Sequence, residues 1–244
     1  MSIYAIGDLH LSFSANKPMD IFGLNWENHA EKIKENWLKK VNNDDTVILP
    51  GDFSWATYLE DTYKDFEYLC SLPGKKILSK GNHDYWWTTL TRMREYLKDN
   101  NFDNIDFLFN NSYNVDGKTL VGTRGWVNSW KSEEDYKILK RENARLVLSI
   151  EDGIKQYGNQ NEMIAFIHYP PFYKENNVPE EINFINTLKK YNIKKCYYAH
   201  LHGEAHKDAI EGLIDGIEYR LVSSDYLKFD LIKIWLFYIW KYKI

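Results

Sequence analysis

Five short apolar runs in this chain break off in the same way, each delivering an Asp, Asn or His where a strand should end. Residues 3–6 run into Gly7-Asp8-Leu9-His10, and residues 46–49 into Pro50-Gly51-Asp52-Phe53. Residues 76–79 lead to Gly81-Asn82-His83-Asp84, residues 163–167 to His168, and residues 196–198 to Ala199-His200-Leu201-His202-Gly203. An apolar run of this length closed by a turn signal reads as a buried strand. A carboxylate at the end of such a strand is poorly solvated unless something positive sits on it. The expectation is that the five ends converge on two metal ions, with Asp52 the bridge between them.

The donor types bear on which ions. Asp8, His10, Asp52, Asn82, His168, His200 and His202 offer carboxylate oxygen, amide oxygen and imidazole nitrogen, and no thiolate. That mixture suits two divalent transition metal ions (Mn, Fe, Zn, Ni or Co) and argues against an all-oxygen calcium cage or a Cys-rich structural zinc. Seven ligands with one shared carboxylate give each ion four protein bonds and leave positions for water and substrate, as structural sites do not. Alone, each motif has a bland reading. Gly-Asp is an ordinary turn, a strand-end His is commonly structural, and Asn-His after glycine is common loop chemistry. The conjunction carries the argument, since five of the seven histidines fall within these motifs.

Periodicity places the motifs. Helices are expected over residues 27–41, with Ala30, Ile33, Trp37 and Leu38 as the apolar stripe, and over 58–72, stopped by Pro73-Gly74. Further helices are expected over 87–97, 133–157 and 180–191, and short strands over 105–109, 113–115 and 119–122. Strands over 194–198, 219–222 and 229–234 complete the pattern. The first third is βαβαβ and demands parallel strands with helical crossovers. The last third, with less helix, is expected to pair antiparallel. The fold class is α/β: a four-layer α/β/β/α sandwich of two mixed sheets flanked by helices, as a single domain over residues 1–244. Residues 11–26 form a long connection over the strand ends, a candidate lid. The apolar stretch from Ile234 to Trp240 is either a last element docked on the core or a subunit contact.

Asp-x-His, Gly-Asp, Gly-Asn-His-Asp, a single strand-end His and His-x-His, in that order from Asp8 to His202, resemble the calcineurin-like dinuclear metallophosphoesterase superfamily. The general look is similar to its small bacterial phosphohydrolase branch. The resemblance implies that Asp8, His10, Asp52 and His202 hold one metal and that Asp52, Asn82, His168 and His200 hold the other. It implies that His83 is no ligand but faces substrate, donating to a phosphoryl oxygen or the leaving group, and that Asp84 pairs with His83 to keep it oriented and protonated. Ala199 departs from the family pattern, which has Gly there; alanine is tolerable if the backbone φ is negative.

The chemistry agrees with the resemblance. Two ions about 3.5–4 Å apart clamp an in-line displacement on phosphorus, and water on such ions has its pKa lowered from ~15.7 toward ~7. The expected function is hydrolysis of a phosphate mono- or diester by a hydroxide bridging two divalent metals, with no Ser or Cys nucleophile. Two alternatives stand beside it: a nuclease acting on single-stranded DNA or RNA, and a non-catalytic protein-binding scaffold on the same fold.

The remaining residues have quieter readings. Arg124 is a candidate substrate contact, with a structural salt bridge the favoured alternative. Trp55, Tyr85, Trp86 and Trp87 flank two motifs and read first as packing. His29 is expected to be a surface group and His206 a loop residue. A net charge of −4 without a block of like charges argues against a nucleic-acid partner. Cys70 and Cys196 lack metal spacing and read as buried thiols. With no basic leader and no apolar stretch of ~18–20 residues, the reading is cytoplasmic, with a phosphoester substrate and no membrane contact.

Overall fold

The computed structural model describes residues 1–15, 17–127, 129–173 and 177–234. The run Ile234 to Trp240 discussed above lies outside them except for Ile234, which is buried and donates its amide to Ile3 O. Two sheets stack face to face. The first runs in the order β11 (Ile232–Lys233), β1 (Ile3–Ala5), β2 (Thr46–Pro50), β3 (Lys75–Ser79), β4 (Ile105–Phe107). The second runs β5 (Tyr113–Val115), β6 (Lys118–Thr123), β7 (Glu162–Ile167), β8 (Lys195–Tyr198), β10 (Ile217–Leu221), β9 (Gly212–Ile214).

Side-chain alternation turns the two sheets into four layers. Ile48 of β2 joins Ile3, Ala5 and Ile77 against Leu120, Ile164, Phe166 and Tyr197 of the other sheet. Its neighbours Val47 and Leu49 point the other way, toward Ile33 and Trp37 of α1 (His29–Lys40), Phe66 and Leu69 of α2 (Tyr63–Ser71) and Met93 of α3 (Leu90–Asp99). On the far side, Ala165 and Ile167 face Leu139, Leu146 and Ile150 of α4 (Glu133–Tyr157) and Leu188 of α5 (Phe184–Lys190). Strands covered on both faces need no polar alternation, which is why they read as continuous apolar runs. The α/β/β/α sandwich is the observed fold.

Several boundaries differ from the sequence expectation for physical reasons. α3 starts at Leu90 rather than at 87, because Thr89 caps it by accepting from Arg92 N while Trp86 and Trp87 turn into the core. The helix expected over 180–191 is broken at Asn183, whose extended backbone ends a 3₁₀ turn at Glu180–Ile182 and whose side chain caps α5. The strand expected over 229–234 shrinks to Ile232–Lys233, since Lys228 and Phe229 have positive φ.

The expectation of antiparallel pairing in the last third is corrected for β8 and β10. β6, β7, β8 and β10 run parallel to one another, and among the described strands the edge pairs β5/β6, β9/β10 and β11/β1 run antiparallel. As a result, the carboxyl ends of β7, β8 and β10 emerge on one side. The bridge between Gly7 and Ser223 joins that side to the end of β1.

Candidate metal centre

All the chemistry-bearing residues leave the carboxyl ends of parallel strands: β1 gives Asp8 and His10, β2 Asp52, β3 Asn82, β7 His168, and β8 His200 and His202. The crevice outside such strand ends is where open α/β sheets bind ligands. Four of these residues hold left-handed backbone, with φ of 56° at Asp8, 47° at His10, 52° at Asp52 and 76° at His200. A non-glycine residue held there costs on the order of 1 kcal/mol. The return is that successive side chains turn inward where an extended strand would send them to opposite faces.

The side chains meet in two groups. Ligand atoms of Asp8, His10 and His202 lie within 4.8 Å of one another, as do those of Asp52, His168 and His200. Asn82 Oδ1 joins the second group, 2.8 Å from His168 Nε2 and 2.9 Å from His200 Nδ1. Asp52 Oδ2 faces both groups, 3.8 Å from His10 Nε2 and 3.5 Å from His168 Nε2. The structure thus brings together all seven residues expected from the sequence.

The electrostatics fit a pair of divalent cations. Asp8 Oδ1 and Asp52 Oδ2 are buried oxygens without a hydrogen-bond donor among the described residues. Burial pushes the Asp8 carboxyl up to about 6, and burial helped by the Asp84 and Asp8 charges pushes Asp52 well above the usual carboxylate range. Burial also holds His10 and His168 well below the usual imidazole range and His200 down to about 4, with nearby imidazoles adding to the effect. For His202 burial acts downward too, but the Asp8 and Asp225 carboxylates outweigh it and raise the pKa. Carboxylate and imidazole lone pairs crowded into a buried space are satisfied by cations.

The supports behind these side chains are as specific as the side chains themselves. His168 Nδ1 lies 2.9 Å from Pro50 O and His202 Nδ1 2.8 Å from Asp225 Oδ1, leaving each Nε2 free to face inward. Such partners fix ring orientation and tautomer. Asp225 was absent from the sequence expectation: β10 alternates apolar and charged residues, Ile217 to Leu221, instead of forming a continuous apolar run, and the only signal is the turn Ser223-Ser224-Asp225 that follows it. Gly81 fits against Asp52 so closely that a Cβ there would lie 2.1 Å from Asp52 Oδ1. Ala199, by contrast, is not among the positive-φ residues, so the family glycine is not needed at that position.

Two expected roles are corrected. Asp84 does not hold His83. Its Oδ2 accepts from Asp52 N at 2.9 Å and Gly81 N at 2.7 Å, and its Oδ1 from Phe53 N at 2.9 Å, Ser54 N at 3.3 Å and Trp86 Nε1 at 3.0 Å. The carboxylate therefore clamps the β2 and β3 loops together. His83 Nδ1 has no hydrogen-bond partner among the described residues. Its imidazole is held down to about 4 by burial, by Lys17 and by His202. His29 is not a surface group: its Nε2 is buried and its ring meets Trp26 edge-on at 5.5 Å.

Arg124, Trp86, Trp87 and His206 fall where the quieter readings put them, while Tyr85 and Trp55 do not. Arg124 Nη2 lies 3.5 Å from Glu142 Oε1, a buried carboxylate that also receives Arg145 at 2.7 Å. Trp86 and Trp87 are core residues, Tyr85 is exposed, and His206 Nε2 lies 3.2 Å from Asp225 Oδ2 in a 3₁₀ turn. Trp55 belongs to the site, its ring stacked on His10 at 4.8 Å and 4.4 Å from that of His83. The 11–26 connection closes one flank. Leu11 pairs with Ser54, and Trp26 is buried with its ring edge-on to His10 at 5.8 Å and His202 at 5.6 Å. Tyr169 covers the other flank, 4.1 Å from the His200 ring.

The model of calcineurin-like phosphoesterases matches residues 1–204. The chain belongs to that family. It is thereby a metal-dependent phosphoesterase, acting on phosphoesters, with two groups of side chains able to hold its metals. Solved structures share the fold at low identity. A protein of unknown function from Aquifex aeolicus, AQ665, is 21% identical with a TM-score of 0.51 over 95% of each chain. The phosphopantetheinyl hydrolase of Mycobacterium tuberculosis is 17% identical with a TM-score of 0.51, over 91% of this chain and 88% of its own. TT1561 of Thermus thermophilus is 13% identical with a TM-score of 0.52, over 82% and 81%. No curated protein sequence gives a significant match. Among the described residues no helix is long and apolar enough to cross a membrane.

Proposed function

We propose that this family member hydrolyses a phosphate ester at a dinuclear centre of divalent transition metals. Asp8, His10, Asp52 and His202 hold one ion, and Asp52, Asn82, His168 and His200 hold the other. The observation that carries the reading is Asp52 Oδ2, a buried oxygen that has no donor among the described residues and faces imidazoles of both groups. When bound, such ions supply Lewis acidity toward a phosphoryl oxygen and bring the pKa of water toward neutrality.

The protein residues do the rest. Asp84 holds the Asp52 and Gly81 amides in register, so the shared carboxylate stays between the two groups. Asp225 orients His202, and Trp55 packs His10 and His83 into a wall. His83, half-buried beside that wall, is the side chain placed to hold a proton at the phosphoryl oxygen or leaving group.

The complete ligand set argues against a non-catalytic scaffold, and a net charge of −4 argues against a long nucleic-acid substrate. The test is turnover of para-nitrophenyl phosphate and bis-para-nitrophenyl phosphate by manganese-loaded protein. Asp52→Asn and His83→Ala are each expected to lower kcat at least about a hundredfold. Full activity in both purified variants rejects the mechanism.

A further inference from the structure

Lys17 stands in the connection between β1 and α1, on backbone pinned on both sides. Ser12 Oγ donates to Lys17 O at 2.9 Å, Phe13 N donates to Asp65 Oδ1 at 2.9 Å, and Trp55 Nε1 reaches Met19 Sδ at 3.0 Å. The Lys17 ammonium lies 3.0 Å from the centroid of the Trp55 ring, the ring that walls His10 and His83.

Elsewhere the lysines and arginines near carboxylates are answered by them: Lys40 by Asp230, Lys189 by Asp215, Lys195 by Glu162, Arg124 by Glu142. Lys17 has no carboxylate in ion-pair contact among the described residues and rests on an aromatic face. That resting place is weaker than a charge-assisted hydrogen bond to a phosphoryl oxygen. A flexible four-carbon stem lets the ammonium leave the ring for such an oxygen beside His83.

We propose that Lys17 is a substrate-binding residue of this site, and that its charge selects the doubly charged phosphoryl group of a monoester over the singly charged group of a diester. The inference rests on the dinuclear phosphoesterase reading and deepens it. The carboxylates of Asp8, Asp52, Asp84 and Asp225 balance the charge of two divalent ions. Lys17 adds a positive charge on the His83 side, where the second negative charge of a monoester is stabilised and a diester has a neutral ester arm.

The experiment compares manganese-loaded wild type, Lys17→Met and Lys17→Arg, with manganese content measured for each to show that the centre is intact. Inorganic phosphate is titrated calorimetrically, and KM is measured for para-nitrophenyl phosphate and its bis-ester. Lys17→Met should bind phosphate about tenfold more weakly and raise KM for the monoester about tenfold, with Lys17→Arg near wild type. The diester KM should change less than about twofold. Unchanged phosphate affinity in Lys17→Met, or equal losses on both esters, overturns the assignment of Lys17 and leaves the phosphoesterase reading standing. A manganese-loaded wild type that neither binds phosphate nor turns over either ester overturns both.

Discussion

Replacing Asp84 with asparagine should damage the fold and the metal centre together, and should do so whether or not His83 is present. The carboxylate is fully buried and accepts five hydrogen bonds, four from backbone amides of the β2 and β3 loops and one from Trp86. Asparagine is nearly isosteric but keeps one acceptor oxygen. With that oxygen toward Phe53 N, Ser54 N and Trp86 Nε1, its NH2 confronts the amides of Asp52 and Gly81, donor against donor. A buried amide left without an acceptor costs about 1–3 kcal/mol, so the pair costs about 2–6 kcal/mol. Against a typical domain stability of about 5–15 kcal/mol this is a large fraction.

The measurement is urea unfolding of metal-free protein followed by tryptophan fluorescence, in wild type, Asp84→Asn, His83→Ala and the double variant. If Asp84 serves the loop amides, its cost is the same in the His83→Ala background, within about 0.5 kcal/mol. If it serves the His83 ring, the cost collapses once the ring is gone. A coupling well above that bound, or a loss no larger than the about 0.5 kcal/mol of ordinary surface changes, would refute the reasoning.

Two further outcomes follow from other residues. Asp225→Asn removes the carboxylate that orients His202 and should weaken manganese binding by about 10–100-fold, read by calorimetric titration of apo protein. Lys76 is buried with its ammonium on Leu72 O, and burial pulls its pKa down to about 8 from the ordinary 10.5. Between those values the unfolded chain binds more protons than the folded one, so wild-type stability rises with pH across that window. The penalty at pH 7 is about 3 kcal/mol. Lys76→Met should therefore stabilise by about 1–2 kcal/mol at pH 7 after the lost bond to Leu72 O, with the advantage shrinking toward pH 10 in urea melts.

The local signals were enough to find the seven side chains that the fold brings together. Asp8, His10, Asp52, Asn82, His168, His200 and His202 each follow an apolar run, and a strand buried on both faces is written as such a run whatever lies beside it. The layered core was legible for the same reason, since alternation and helical spacing are properties of a short window. The pairing of β10 was not. Whether it runs along or against β8 depends on the intervening chain crossing back over the sheet, and no window of residues 219–222 contains that information.

Asp225 shows what that difference decides. It sits 23 residues from His202, and the two meet because Leu221 is in parallel register with Tyr198, so both strand ends emerge together. Asp84 adjoins His83 in the chain yet turns to amides some thirty residues away, because those amides are buried and need an acceptor more than the ring does. The sequence by itself determined which residue types reach the strand ends, since burial and turn chemistry act over a few residues. Only the tertiary structure decided which group serves which, because a buried donor takes the acceptor that long-range register brings to it.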